Sequence, residues 1–123
     1  MAGRRNAVAE KSLAFAVRVV NMYRILKNRR RETVMSKQVL RSGTSIGANV
    51  REALSAQSTA DFLSKMTIAL KECSETGYWL DLLNRTNLLT KPEYDSISSD
   101  CSELFALLTS IIKTTKRNQS HEG

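Results

Sequence analysis

Phosphate contact is the chemistry this chain is best equipped for, since 19 Lys and Arg stand against 12 carboxylates. The candidate contacts are Arg18, Arg24, Lys27, Arg29, Arg30, Arg31, Lys37, Arg41 and Arg51. They lie in a segment, residues 1–51, that holds 12 Lys or Arg against two acids (Glu10 and Glu32), a net +10; the remainder has 7 against 10, a net −3. Clustered cations of this kind neutralise phosphates and gain from counterion release. They confer little sequence specificity, and the few aromatics are expected in packing, so base stacking on a surface platform is not expected. The same residues would also serve as a solvated face that keeps a small protein soluble.

Reactive groups are scarce. The single histidine, His121, sits in a polar tail, and no metal-ligand spacing, glycine-rich phosphate loop or nucleophile–base pair can be assembled. Glu72 and Glu75 could face a second pair across subunits and hold a metal, yet the Glu-x-x-His pattern of bundle metal sites is absent. Cys73 and Cys101 fall on apolar helix faces, where reduced thiols act as small hydrophobes. The expectation is a non-enzyme with no cofactor, no metal and no catalytic residue. No run of about 18 apolar residues exists for a membrane span, and MAGRRNAVAEKS carries charge where a signal peptide needs its apolar segment. A cytoplasmic, non-membrane protein is expected.

At 123 residues and 41% hydrophobic, the chain fits one domain with a moderate core, and one Pro and five Gly leave no linker. Periodicity predicts an all-α helical bundle of four segments, about 7–27, 33–56, 59–86 and 91–116, with a disordered tail at 118–123. The first segment is apolar around most of its circumference (Leu13, Phe15, Ala16, Val17, Val19, Val20, Met22, Tyr23, Ile25, Leu26), so it needs more than one neighbour. It ends in the charged turn Asn28 to Glu32, whose cations suit a helix C-terminus. The second puts Val39, Leu40, Gly43, Ile46, Gly47, Val50 and Ala53 on a core face, with the two glycines allowing close helix approach. Lys37, Arg41, Thr44, Ala48 and Arg51 form a basic stripe opposite. Ser42, Ser45 and Asn49 border the two faces, placed to tie this helix to a neighbour by hydrogen bonds.

Ser58 or Thr59 is the expected N-cap of the third segment, with core stripe Phe62, Met66, Ala69, Leu70, Cys73, Thr76, Gly77, Leu80 and Leu83. A second apolar set on that helix, Ile68, Trp79 and Leu82 with Tyr78 at its edge, projects away from the stripe. A lone four-helix chain would leave Trp79 partly in water. Burying such an aromatic contributes about 2–3 kcal/mol, so self-association through these four residues is expected, the competing reading being that helix one or the termini cover Trp79 within the same chain. Thr90-Lys91-Pro92-Glu93 reads as a capping box opening the fourth segment, whose face is Tyr94, Ile97, Cys101, Leu104, Phe105, Leu108, Ile111 and Ile112.

The run SGTSIGANVREA (Ser42 to Ala53), followed by QSTADFLSKMTIALKECSETGYWLDLLNRTNLL (Gln57 to Leu89), resembles the bacterial four-helix-bundle proteins named after intervening sequences in 23S ribosomal RNA genes. EKSLAFAVRVVNMY and SKQVLRSGTS extend the resemblance over nearly the whole chain. Of the family's Ser-Ile-x-x-Asn-Ile-Ala-Glu-Gly pattern, Ser45, Ile46, Asn49 and Glu52 match; Arg51 and Ala53 replace the Ala and Gly, as in the family's Asn-Val-Arg-Glu-Ala branch. The resemblance implies an antiparallel up-down-up-down four-helix bundle and a ring-like homopentamer. Relatives that serve as accessory variability determinants of diversity-generating retroelements bind nucleic acid and a reverse transcriptase. Two functions are therefore expected as alternatives: binding structured RNA through phosphate contacts, or a scaffold recruiting a partner protein such as a reverse transcriptase.

Overall fold

The four helices are α1 (Ala2–Asn28), α2 (Val34–Leu54), α3 (Thr59–Arg85) and α4 (Lys91–Glu122), and the last three begin where a side chain satisfies free amides. The structure, a computed structural model, describes the backbone of residues 2–122 and the side chains of residues 3–120. At α3, Ser58 Oγ accepts from the Asp61 amide at 3.1 Å, and at α4 the expected capping box closes in both directions, Thr90 N–H to Glu93 Oε1 (2.8 Å) and Glu93 N–H to Thr90 Oγ1 (3.3 Å). The start of α2 uses a residue outside the helix. The Glu32 carboxylate accepts from the amides of Val34 (2.9 Å), Met35 (2.7 Å) and Ser36 (2.9 Å), while Thr33 makes no side-chain cap.

Side-chain pairs fix the course of the helices. Arg18 meets Asp100 and Lys11 meets Glu103, so α1 and α4 run antiparallel; Arg41 meets Glu72 and Glu75 while Glu52 meets Lys65, so α2 and α3 do too. With short loops between neighbours, the result is an all-α, antiparallel up-down-up-down four-helix bundle. The α1–α2 and α3–α4 loops share one end, joined by Arg30.

The core follows the stripes. Val8, Phe15, Val19, Met22 and Leu26 of α1 pack with Val39, Ile46, Val50 and Ala53 of α2; Phe62, Met66, Ala69, Cys73, Leu80 and Leu83 of α3 meet Ile97, Cys101, Leu104, Leu108, Ile111 and Ile112 of α4. The α1–α2 seam depends on Gly43, since a Cβ there would stand 2.8 and 2.9 Å from the two γ-methyls of Val19; at Gly47 the nearest atom would be 3.4 Å away. Four expected core or packing positions instead face out: Leu13, Val17, Ile25 and Phe105. A helix with two neighbours has one side left over, and α1 is apolar on that side as well. Leu40, Leu70, Gly77 and Tyr94 are half-buried at the stripe edges.

The ends of the elements differ from the sequence reading chiefly at the termini. α1 starts at Ala2 and not near Ala7, which puts Val8 in the core. α4 continues through residues 118–122, where a disordered tail is expected: polar composition removes the packing reward, but these residues carry no Pro or Gly to interrupt the backbone ladder. Gly123 and the His121 side chain lie outside the described residues. No helix among the described residues is long and apolar enough to cross a membrane.

Candidate nucleic-acid interface

The nine candidate cations separate into two groups. Three are held within the bundle. Arg30 lies across the two loops, donating from Nη1 and Nη2 to the two carboxylate oxygens of Glu93 (2.9 and 2.8 Å) and from Nη1 to the Leu88 carbonyl at 2.6 Å. This fork geometry suits a guanidinium, and together with the Thr90 amide it holds the Glu93 carboxyl down to about 2. Arg18 bridges α1 to α4 through Asp100 (2.6 Å) and the Ser96 hydroxyl (2.9 Å). Arg41 bridges α2 to α3 through Glu75 (2.7 Å) and Glu72 (3.2 Å). Glu75 also accepts from the Trp79 indole N–H at 3.0 Å, and that bond, followed by the one from Arg41, sets its carboxyl below the ordinary range.

Six remain: Arg24, Lys27, Arg29, Arg31, Lys37 and Arg51 are exposed, and among the described residues none has a carboxylate within ion-pair distance. Five of these fall between the last turns of α1 and the first turn of α2, so they share one end of the bundle; Arg51 belongs to the far end of α2. The stripe expected along α2 is therefore interrupted, because Arg41 turns toward α3. Lys27 lies over the Tyr23 ring, 5.9 Å from its centroid, which fixes its stem and leaves the ammonium at the surface. Glu32, the acid nearest these cations in sequence, is occupied by the α2 amides.

Sequence reasoning missed one member of this end. Arg85 closes α3 beside the same loops, is exposed, and has no ion-pair partner among the described residues. Its signal was available, since an up-down topology brings the end of the third helix next to the end of the first. Arg31 adds a conformational feature: it holds positive φ (59°), as does Asn87 (64°). In that conformation it ends α1, with the Glu32 amide donating back to the Leu26 carbonyl at 2.9 Å.

The motif residues all lie on α2. Ile46 is fully buried; Ser45 and Asn49 bond to carbonyls of α2 itself, Arg41 (2.6 Å) and Ser45 (2.9 Å), and tie it to no neighbour. Ser42 alone makes the expected cross-helix link, accepting from Thr76 Oγ1 at 2.9 Å. Glu52 pairs loosely with Lys65 at 3.5 Å. Of the expected association surface, Tyr78 is 60% exposed and Ile68 40% exposed, whereas Trp79 and Leu82 are half-buried. Trp79 packs against the core, its ring edge-on to Tyr78 at 5.1 Å. A second apolar surface was missed: Leu13 (55% exposed) and Val17 (54%) stand on the outer side of α1. Leu13 borders a cleft of about 410 Å³ against α2, lined also by Ala16, Thr44, Gly47, Ala48 and Arg51. Among the described residues no cluster of His, Cys, Asp and Glu has the makings of a metal site.

Comparison with known proteins agrees with this architecture. The family model described as 23S rRNA-intervening sequence protein matches residues 4–110. A crystal structure of a protein of unknown function from the S23 ribosomal protein family of Bacteroides thetaiotaomicron is similar at 60% identity and a TM-score of 0.88, covering 89% of this chain and 98% of that one. No curated protein matches the chain.

Proposed function

The chain belongs to the 23S rRNA-intervening sequence protein family, and from that premise we propose that it is a non-enzymatic, homo-oligomeric, cytoplasmic bundle that binds structured RNA through phosphate contacts. The observation that carries this reading is the loop end, where Arg24, Lys27, Arg29, Arg31 and Lys37 stand exposed without ion-pair partners among the described residues. A cation already engaged to a carboxylate gains little from a phosphate, whereas a free one releases condensed counterions on contact. Several copies in one assembly, the homopentamer of the family resemblance, would multiply such ends and give avidity without further contacts. Shape and charge, not base edges, would set the preference.

A filter-binding titration of the protein on a synthetic RNA hairpin between about 50 and 200 mM salt tests this: affinity falls by orders of magnitude if several phosphates are contacted. A flat salt response would remove the reading.

The exposed pair Leu13 and Val17 favours a second reading, a scaffold that docks a partner protein such as a reverse transcriptase on apolar surface, or another copy of itself. Two substitutions separate the faces available for self-association. Val17→Asp should disperse an assembly built on α1, and Tyr78→Asp one built on α3; sedimentation velocity reads both. A scaffold engaged through α1 keeps its partner when Arg29 and Lys37 are neutralised, whereas RNA binding weakens.

A further inference from the structure

The two cysteines, distant in sequence, meet in the core. Cys73 of α3 and Cys101 of α4 bring their sulfurs to 3.9 Å, and each Sγ also reaches the other residue's carbonyl oxygen, at 3.5 Å from Cys73 and 3.6 Å from Cys101. Each lies 14 residues from Asn87, the left-handed residue that ends α3, so the antiparallel hairpin places them level with one another. The Asn87 turn is well fixed: its own amide bonds back to Asn84 at 3.1 Å and the Leu88 amide to Leu83 at 2.9 Å, the pattern of a Schellman cap. Two thiols placed only as small hydrophobes have no need to touch, and alanine would fill either position without a weak S–H donor.

We infer that Cys73 and Cys101 form a reversible intramolecular disulfide that latches α3 to α4 when the protein meets a peroxide or a small-molecule disulfide. The sulfurs, 3.9 Å apart, must approach by about 1.9 Å to reach the usual bond length of about 2.05 Å, through side-chain rotation and movement of α3 against α4. With hydrogen peroxide, the Cys101 thiolate attacks one peroxide oxygen and breaks the O–O bond, giving a sulfenic acid and hydroxide. The Cys73 thiolate then attacks that sulfur and expels a second hydroxide, and the two thiol protons convert both to water. Sulfur is oxidised by two electrons in total and the peroxide reduced by two. Cys101 acts first because it is the more exposed of the two.

Both residues are nearly shielded from solvent, so the reaction waits on opening of the α3–α4 seam. That gating distinguishes a latch from an exposed redox sensor: the dithiol persists in a reducing compartment, and closure answers sustained oxidant or a loosened bundle. The latch joins residues already in contact, so the closed form keeps the fold and removes freedom from the unfolded chain. It is independent of RNA binding, whose candidate residues lie at the loop end.

The experiment treats the native full-length chain with hydrogen peroxide or oxidised glutathione, blocks residual thiols with iodoacetamide and measures intact mass and non-reducing peptide maps. The expected product is a chain lighter by about 2 Da, carrying no alkyl group, with one cross-linked peptide pair containing Cys73 and Cys101. It forms at a rate independent of protein concentration, returns to two alkylatable thiols with dithiothreitol, and melts roughly 5–10 °C higher than the reduced form. A Cys101→Ser chain should stay unlinked under the same treatment, and a mild denaturant should speed closure in the wild type. Two alkylated cysteines after oxidant treatment in native buffer, or only sulfinic acid and intermolecular dimers, would overturn the inference.

Discussion

The seams of the bundle and its loop end use the same residue types for opposite purposes. In the seams, Arg18 and Arg41 each reach a carboxylate on a facing helix, and Arg30 does the same across the two loops, so the charge of all three is spent on orientation and packing. At the loop end, Arg24, Lys27, Arg29, Arg31 and Lys37 have no such partner among the described residues, and the nearby carboxylate of Glu32 caps α2 instead. Net charge alone cannot separate these groups; the register between helices can. If the division is real, stability and RNA affinity belong to different arginines, and each substitution should move one of them.

The largest effect is expected at the loop end. Replacing Arg24, Lys27, Arg29, Arg31 and Lys37 together by Gln should weaken binding to an RNA hairpin at about 100 mM salt by roughly two to three orders of magnitude, and flatten the logarithmic salt slope by about four. The same chain should melt within about 5 °C of wild type, because exposed substitutions away from packed features rarely exceed about 0.5 kcal/mol each. A large loss of melting temperature would mean that these cations are structural after all, and the division would fall.

Next comes the reverse dissociation at a seam. Arg30→Ala removes the fork onto Glu93 and the bond to the Leu88 carbonyl, so the two loops lose their tie. The pair is partly solvated, which holds the cost to about 1–2 kcal/mol, read as a drop in denaturant midpoint. Hairpin affinity should stay within about threefold. An uncharged seam position gives the matching control: Gly43→Ala forces a methyl against the stiff γ-branches of Val19 and should cost about 1–2 kcal/mol, while Gly47→Ala, with room for its Cβ, should gain up to about 1 kcal/mol from helix propensity. Neither should change RNA affinity.

The contrast also shows where sequence reading stops. The caps at Ser58 and Thr90, the core stripes and the close approach at Gly43 were legible because each depends on residues a few positions apart or on one helical period. Which arginines are free was not, since the partners of Arg18, Arg30 and Arg41 lie 82, 63 and 31–34 positions away and depend on how the helices slide past one another. Leu13 and Val17 were misread for a related reason. An all-round apolar helix announces that it will be covered without saying by what, and in the single chain two neighbours leave that side open. The Cys73–Cys101 meeting could have been found by folding the sequence about Asn87.

Acid should act on the paired arginines and not on the free cations. The Glu93 carboxyl sits at about 2 when folded, against about 4.3 in an unfolded chain, so its contribution is fully present above that unfolded value and is lost as pH falls through about 2. Solvent access to the pair limits the loss to about 1 kcal/mol. Denaturant titrations at pH 6 and pH 2.5 should show it in the wild type and show much less of it in Arg30→Ala, where the largest cause of the low value has been removed. Equal losses in the two proteins would place the acid sensitivity elsewhere.

The smallest effect is the most discriminating, because one residue is asked to move the two properties in opposite directions. Arg31 holds φ at 59°, where a β-carbon crowds the following carbonyl and costs about 1 kcal/mol, and it also contributes one of the free charges. Glycine relieves the crowding but loses more entropy on folding, so Arg31→Gly should stabilise the chain by only about 0.5 kcal/mol. Hairpin affinity should fall severalfold and the salt slope by about one, the signature of one lost phosphate contact. Arg29→Gln, at a neighbouring position with ordinary φ, should reproduce the binding loss without the gain in stability. If Arg31→Gly becomes more stable and binds as before, its charge does not touch phosphate and the interface shrinks to the flanks of α1 and α2. If it binds less well and also unfolds more readily, the loop end is held by its own arginines and the separation between the two regions is lost.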